Sequence, residues 1–113
     1  MPNYSNKTVG TITANGGSVT HATRFLAPGV ISAQVSNSFT GTIQIEASMD
    51  GTTFFAYQMV DSSSTHGNSP STHTSVTTTH LLVSEAYAIQ YVRFRASAWS
   101  TGTATITIVS LNG

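Results

Sequence analysis

The stretch Thr40–Tyr57 alternates apolar and polar residues and then turns sharply. Ile43, Ile45 and Ala47 alternate with polar residues, which is the period of a half-buried β-strand. Asp50-Gly51 follows directly, and this dipeptide is the strongest short-range hairpin signal because a type I′ turn needs positive φ at both central residues. Aromatic residues that pack well on a pleated surface come after it. The stretch therefore predicts two strands joined by a tight type I′ turn.

Other parts of the chain show the same two-residue period. Val92, Phe94 and Ala96 share one side of a segment, as do Ala104, Ile106 and Ile108. No convincing helical period appears, and short apolar runs follow one another with turn residues between them. We therefore predict an all-β fold, a single antiparallel β-sandwich with about eight strands, jelly-roll-like topology and little or no helix.

The 113 residues are predicted to form a single domain, 1–113, with two segments outside the sandwich. Residues 1–6 are expected to be a flexible N-terminal arm. Residues 61–74 contain no apolar side chain and are expected to form a long polar surface loop, a feature that is uncommon in a compact domain and is often functional.

Charge is scarce in this sequence and limits the classes of partner. Only 7% of the residues are charged, the net charge is zero, and there are four lysines and arginines. Because nucleic-acid binding relies on a basic patch, no nucleic-acid partner is expected. No apolar run approaches the roughly 20 residues of a membrane helix, so no membrane partner is expected either. Few charges give weak protection against self-association, so the chain is either kept soluble by its hydroxyl groups or is part of an assembly.

The chain has no cysteine, so neither disulfides nor thiolate metal sites are available to it. Residues 1–7 contain no apolar segment of the kind that a signal peptide needs. The missing signal peptide leads us to expect that the protein is made in the cytoplasm and leaves it, if at all, by another route.

Three parts of the sequence resemble a family of small β-sandwich proteins from tailed bacteriophage virions. They are Phe39–Phe54 with its Ser-x-Asp-Gly turn, Tyr91–Ala96 with its Val-Arg-x-Arg pattern, and Thr101–Ile108 with its Gly turn. The order of these motifs is also similar to that in discoidin-type sandwiches. The resemblance implies a structural role in a phage particle: capsid decoration or cement, a tail or baseplate subunit, or a domain of a tail fibre.

The resemblance places Glu46 and the pair Arg93 and Arg95 in one sandwich. An arginine pair beside a carboxylate can bind an acidic sugar or a neighbouring subunit, but the favoured interpretation is a cross-strand ion pair on a solvated face. Asp50 is interpreted as a turn residue rather than a calcium ligand, because Ca²⁺ needs six to eight oxygens and acidic residues are few.

Histidine is present at positions 21, 66, 73 and 80. His66, His73 and His80 lie in or beside the polar loop, where a metal-binding or proton-sensitive site between symmetry-related loops is one interpretation. Solvated loop histidines are the favoured one, because no cysteine or paired carboxylate accompanies them in the sequence. No metal site, cofactor or catalytic residue is predicted, and a Gly-x-Ser-x-Gly elbow is absent.

These observations favour a non-enzymatic structural protein of the virion, a capsid decoration or cement protein that bridges capsid subunits. Its expected partners are the major capsid protein or another virion protein, and copies of itself in a trimer. The predicted interface residues are Tyr4, Lys7, His66, His73, Arg93 and Arg95. The alternative is a carbohydrate-binding or host-recognition module of a tail fibre or spike, in which Trp99, Tyr57 and Tyr87 would stack on sugar rings. A tail or baseplate subunit is a third possibility.

Overall fold

The computed structural model describes residues 4–23, 29–61, 72–86 and 89–112, and every regular element within them is a β-strand. None of these residues forms a helix long and apolar enough to cross a membrane. The strands are β1 (Tyr4–Ile12), β2 (Ser18–Ala22), β3 (Gly29–Ser36), β4 (Phe39–Ser48), β5 (Phe55–Ala56), β6 (Met59–Asp61), β7 (Thr72–His73), β8 (Ser75–Val76), β9 (His80–Ala86), β10 (Tyr91–Gly102) and β11 (Ala104–Asn112).

The strands form two antiparallel sheets. The six-stranded sheet has the order β1-β11-β3-β9-β6-β7, and the five-stranded sheet has the order β2-β10-β4-β5, with β8 also paired to β4. The three short strands β6, β7 and β8 form an insertion between β5 and β9. Numbering the other eight strands in sequence gives the orders 1-8-3-6 and 2-7-4-5, which is the arrangement of a jelly roll. The predicted fold class is confirmed. The predicted number of about eight strands does not include the three inserted strands β6, β7 and β8.

The core lies between the sheets and is filled by the residues that alternation predicted. Successive residues of a strand point to opposite faces, so each strand contributes every second side chain to the interior. The predicted inward-facing residues are all buried: Ile43, Ile45, Ala47, Val92, Phe94, Ala96, Ala104, Ile106 and Ile108. Aliphatic residues of β3, together with Met59 and Leu82, complete the inner face of the six-stranded sheet.

The turn after β4 differs from the predicted type I′ turn. Six residues separate β4 from β5, and only Gly51, not Asp50, has positive φ, at +79°. Ser48 Oγ accepts hydrogen bonds from the amides of Asp50 and Gly51, while Asp50 Oδ1 accepts from those of Thr52 and Thr53. The amides of Thr53 and Thr52 hold the pKa of Asp50 below its usual value. Side-chain oxygens thus organise a wider turn, and Asp50 is a turn residue, as predicted.

The prediction of a flexible N-terminal arm over residues 1–6 is wrong for residues 4–6, the part of it that the structure describes. Tyr4–Asn6 belong to β1, whose pairing with β11 begins opposite Asn112. The side chain of Asn6 also donates a hydrogen bond of 2.6 Å to the carbonyl oxygen of Ala22. Because β11 extends to Asn112, these residues gain main-chain hydrogen bonds that the sequence did not reveal. Residues 1–3 lie outside the described residues.

The sequence predicts a loop over residues 61–74, but Asp61, Thr72 and His73 are strand residues. Asp61 ends β6, and Thr72–His73 form β7, which pairs with β6. These polar residues form strands at the edge of a sheet, where pairing does not require apolar side chains. Residues 62–71 lie outside the described residues.

Candidate functional site

The outer face of the six-stranded sheet carries many apolar side chains that face away from the core. Val9 is 58% exposed, Leu81 45% and Leu111 42%. The register places Leu111 beside Val30. Val60, Val83 and Val109 are half-buried members of the same face. We call these seven residues the apolar outer face: Val9, Val30, Val60, Leu81, Val83, Val109 and Leu111.

Hydroxyl and amide side chains separate these apolar residues, and charge is confined to the margins. Ser32, Gln34 and Thr107 lie among them in the sheet. Lys7, on the edge strand β1, and Glu85, opposite Val30 on β9, are the two ionisable residues that the described strands place on this face. A surface with so little charge loses little hydration free energy when a partner covers it.

The outer face of the five-stranded sheet has the opposite character, because three charged residues meet there. Glu46 on β4 lies directly opposite Arg93 on β10. Arg93 Nη2 lies 2.7 Å from Glu46 Oε1, and Arg95 Nη2 lies 3.0 Å from Oε2. The predicted cross-strand ion pair is therefore confirmed, and one carboxylate is shared by two guanidinium groups. The interface role predicted for both arginines stays a prediction.

Burial and hydrogen bonding act in opposite directions on this carboxylate. Desolvation raises the pKa of Glu46, but hydrogen bonds from Arg95 and Arg93 and their positive charges outweigh it, so the pKa lies below its usual value. Glu46 in turn raises the pKa of Arg95. The guanidinium of Arg93 also lies 3.9 Å from the centre of the Phe54 ring, a cation–π contact. Arg93 is thus held from two sides.

Two of the histidines meet a carboxylate at the edge of the six-stranded sheet. His73 Nε2 and His80 Nε2 each lie 3.5 Å from Asp61 Oδ2. The two imidazole rings have an edge-to-face contact with centres 4.7 Å apart. All three side chains are half-buried. The expectation that these are solvated loop histidines is therefore wrong for His73 and His80, which lie half-buried beside Asp61.

His21 is fully buried and connects the two sheets. Its Nε2 lies 2.8 Å from Ser110 Oγ on β11, and its Nδ1 lies 2.9 Å from Thr8 Oγ1 on β1. Ser110 donates its own proton to the carbonyl oxygen of Thr23, so it accepts from His21. The neutral ring with the proton on Nε2 satisfies every partner, and burial lowers the pKa of His21. No local pattern around His21 in the sequence indicates this interior role.

The two described residues of the predicted sugar platform lie apart. Trp99 lies opposite Gly41 on β4, whereas the amide of Tyr57 donates to the carbonyl oxygen of Ile45. Four residues of an extended strand span about 13 Å. Tyr87 lies outside the described residues.

Both aromatic side chains are also engaged within the sandwich. The Trp99 ring stacks on Phe39 with centres 5.1 Å apart and planes 1° apart, and Gly41 packs closely against its Cε3 edge. The Tyr57 hydroxyl lies 2.5 Å from Ser84 Oγ. These contacts favour packing roles for both residues.

The remaining predicted interface residues are spread over the molecule. Lys7 is exposed on β1, an edge strand where lysine also discourages pairing with a foreign strand. Tyr4 lies at the start of the same strand. His66 lies outside the described residues. The structure therefore does not gather the five described members of this set into one surface, because Lys7 lies on the six-stranded sheet and Arg93 and Arg95 lie on the other.

Comparison with known proteins gives a likeness in fold. No known family matches the sequence, and no curated protein matches it. The structure is similar to the SPBc2 prophage-derived protein YomS, with a TM-score of 0.73 and 15% identity over 96% of each chain. It also matches a protein of disulfide-linked pili of Bacillus endospore appendages, with a TM-score of 0.46 and 15% identity, over 98% of this chain and 89% of that one. The first likeness shows that a prophage-derived protein has this fold; the second score is too low to carry an argument.

Proposed function

We propose that this protein is a non-enzymatic structural component of a phage particle and that it decorates the capsid. The observation that supports this most is the apolar outer face, an exposed sheet surface of valine and leucine interrupted by hydroxyl and amide groups. Exposed apolar surfaces of this kind mark interaction sites when they are contiguous. The fold shared with a prophage-derived protein is consistent with the proposal.

The mechanism is the burial of surface between neighbouring subunits. A decoration protein that covers the junction of two shell subunits adds an interface that must be broken before the shell opens locally. Burial of apolar surface contributes roughly 25 cal/mol per Å². The outer face suits such contacts because its two ionisable residues, Lys7 and Glu85, lie at its margins, where they stay hydrated when the centre is covered.

The predicted trimer belongs to the same proposal. A net charge of zero and a sheet face on which the described strands place only two ionisable residues favour association of identical chains. Light scattering coupled to size-exclusion chromatography measures the mass of the purified chain, whose monomer is 11.9 kDa. A monomer at all concentrations used would contradict the trimer but not the decoration role.

The carbohydrate-binding alternative gains less support from the described residues. Its aromatic platform would need Trp99 and Tyr57 to share one exposed surface, but Trp99 lies beside Gly41 of β4 and Tyr57 lies beside Ile45, four residues further along that strand. Glycan binding that is abolished by Trp99→Ala in a folded variant would favour this alternative over the proposed function.

Location in the particle tests the proposed function directly. Antibodies against the purified protein are applied to phage particles from the source strain, and gold-labelled secondary antibodies are located by electron microscopy. Label over the head supports decoration, and label over the tail would replace it by the tail or baseplate alternative. Particles that carry no label, from a strain in which the protein is expressed, would refute the proposal.

Variants then test whether the apolar outer face makes the contact. Val9→Glu places a charge on that face at an exposed position, and we expect it to reduce the fraction of protein that sediments with particles. Thr20→Glu is the matched control, because Thr20 is exposed on β2 in the other sheet and the charge change is the same. Equal sedimentation of both variants and the unchanged protein would exclude this face as the contact.

A further inference from the structure

The cluster of Asp61, His73 and His80 occupies inward-facing positions of the six-stranded sheet. In an antiparallel pair, residues directly opposite each other project to the same face. Each of the three lies opposite a buried core residue: His80 opposite Val35, Asp61 opposite Leu82, and His73 opposite Met59. Three polar side chains thus continue the inner, apolar surface of the sheet at its edge. Groups in such positions need partners, since an unpaired polar group next to a core is costly.

The spacing of the three ligating atoms matches that around a small metal ion. His73 Nε2 and His80 Nε2 each lie 3.5 Å from Asp61 Oδ2, and all three atoms lie within 4.8 Å of one another. Tetrahedral zinc with bonds of about 2.0–2.1 Å has ligand atoms about 3.4 Å apart. A separation of 3.5 Å is longer than the hydrogen-bond mode of about 2.9 Å. The contacts to Asp61 are therefore better matched to two ligands of one ion than to direct hydrogen bonds.

The tautomer of His80 leaves a lone pair directed at the carboxylate. His80 Nδ1 lies 3.0 Å from the carbonyl oxygen of Thr78, which only accepts, so Nδ1 carries the proton. In the neutral ring Nε2 is then an electron-pair donor that faces Asp61 Oδ2, another electron-pair donor. Donation of the second ring N–H to a backbone carbonyl is also the arrangement that metal-binding histidines adopt.

His73 supplies a separate observation that points to the same position. Its Nε2 atom is buried and has no hydrogen-bond partner, although buried polar atoms in native structures are nearly always satisfied. This atom lies beside both Asp61 Oδ2 and the His80 ring. A cation between the three side chains satisfies His73 Nε2 and removes the repulsion between His80 Nε2 and Asp61 Oδ2.

We propose that Asp61, His73 and His80 bind one divalent transition-metal ion, with zinc as the expected metal. Two imidazole nitrogens and one carboxylate oxygen form a ligand set that suits zinc, whereas Ca²⁺ and Mg²⁺ prefer oxygen ligands alone. Three protein ligands leave a fourth tetrahedral position for water. Because Asp61 immediately precedes residues 62–71 and His73 follows them closely, the ion joins the start and end of that segment to β9.

Metal titration of the full chain tests the proposal. The protein is prepared without a histidine tag, freed of metal with a chelator, and titrated with Zn²⁺ in a calorimeter. We expect one Zn²⁺ per chain. Titration with Co²⁺ should give the intense visible absorption of tetrahedral cobalt, a readout that requires no variant. Failure of the unchanged protein to bind either ion at concentrations up to about 1 mM, the range of very weak binding, would overturn the proposal.

Variants identify the ligands. His73→Gln, His80→Gln and Asp61→Asn should each weaken Zn²⁺ binding by more than roughly 100-fold, the upper end of what loss of an outer-shell partner costs. Glu85→Gln is the matched control, since Glu85 is an exposed acid outside the cluster, and it should bind Zn²⁺ as the unchanged protein does. Unaltered affinity in a folded double variant, His73→Gln with His80→Gln, would show that the ion binds elsewhere and would overturn the assignment.

Discussion

The hydrogen-bonded bridge at His21 makes the stability of the sandwich depend on pH. The ring is fully buried, and its two nitrogens join β2 of one sheet to β1 and β11 of the other. Ser110 donates to the carbonyl of Thr23 and therefore receives the Nε2 proton, which leaves Nδ1 to accept from Thr8. A proton added at Nδ1 faces a hydroxyl that is already donating. Burial lowers the pKa of His21 below the usual value of 6.5.

The sign and the size of the effect follow from proton linkage. Because the folded-state pKa lies below the unfolded-state pKa, the unfolded chain binds the proton first as the pH falls. Stability is therefore unaffected well above pH 6.5, falls as the pH drops below that value, and becomes constant again below the folded-state pKa. The free energy of unfolding therefore decreases between pH 7.5 and 5.5, by at most about 1.4 kcal/mol, the limit set by one proton that binds only to the unfolded chain. This limit corresponds to a decrease of roughly 1 M in the urea midpoint for a domain of this size.

Urea unfolding at several pH values measures this effect. The experiment is run between pH 5.5 and 7.5 with a chelator present, so that metal binding at Asp61, His73 and His80 does not contribute. His21→Gln is the comparison, because glutamine keeps a donor and an acceptor but does not titrate. The other histidines are present in both proteins, so the difference between the two pH dependences isolates position 21. Parallel pH dependences in the two proteins would refute the assignment of a neutral, buried His21.

Two other predictions concern stability. Gly102 and Gly16 both have positive φ, +95° and +84°, but a Cβ on Gly102 would lie 2.4 Å from the carbonyl oxygen of Ser38, whereas nothing lies within 4 Å at Gly16. Urea unfolding should therefore show that Gly16→Ala lowers the free energy of unfolding by about 1–2 kcal/mol, and that Gly102→Ala lowers it by a further ~1–3 kcal/mol. Equal decreases in the two variants would contradict the close approach at Gly102. Glu46→Gln should lower the free energy of unfolding by about 1 kcal/mol at low ionic strength, because two arginines lose a shared partner on a partly exposed face. This decrease should become smaller in high salt, which screens the charges. A loss for Glu46→Gln that does not change with salt would show that packing, not charge, dominates there.

Alternation along the chain predicted the fold class well because each long strand has one solvent-facing side. Phe94 and Ile106 lie in segments whose apolar residues recur at every second position, so the buried face follows from the sequence alone. The order of the strands cannot be read from alternation, because it depends on which strands pair with each other in the sheet. The pairing of β1 with β11 joins the two ends of the chain, and nothing local to Tyr4 indicates that a strand partner lies more than 100 residues away.

The turn at Asp50 shows how a correct local signal leads to a wrong geometry. Asp-Gly indicates a turn because both residues tolerate conformations that others avoid. Ser48 changes the outcome, because its hydroxyl oxygen accepts a hydrogen bond from the amide of Gly51, and the carboxylate of Asp50 accepts one from the amide of Thr53. These side-chain bonds replace the main-chain bonds of a two-residue hairpin, so the chain widens before β5 begins.

The Asp61–His73–His80 cluster was only partly accessible to sequence reasoning. His80 is in phase with Leu82, and Asp61 is in phase with Met59, so alternation within β9 and β6 already directs both side chains inward. A titratable residue at an inward position is the signal that was missed. His73 is different, because its orientation depends on the pairing of β7 with β6 across the ten residues 62–71, and no local pattern fixes that register. The three side chains come from three strands and form one site only through the register of the sheet. The offset of seven positions from His73 to His80 therefore has no chemical meaning by itself.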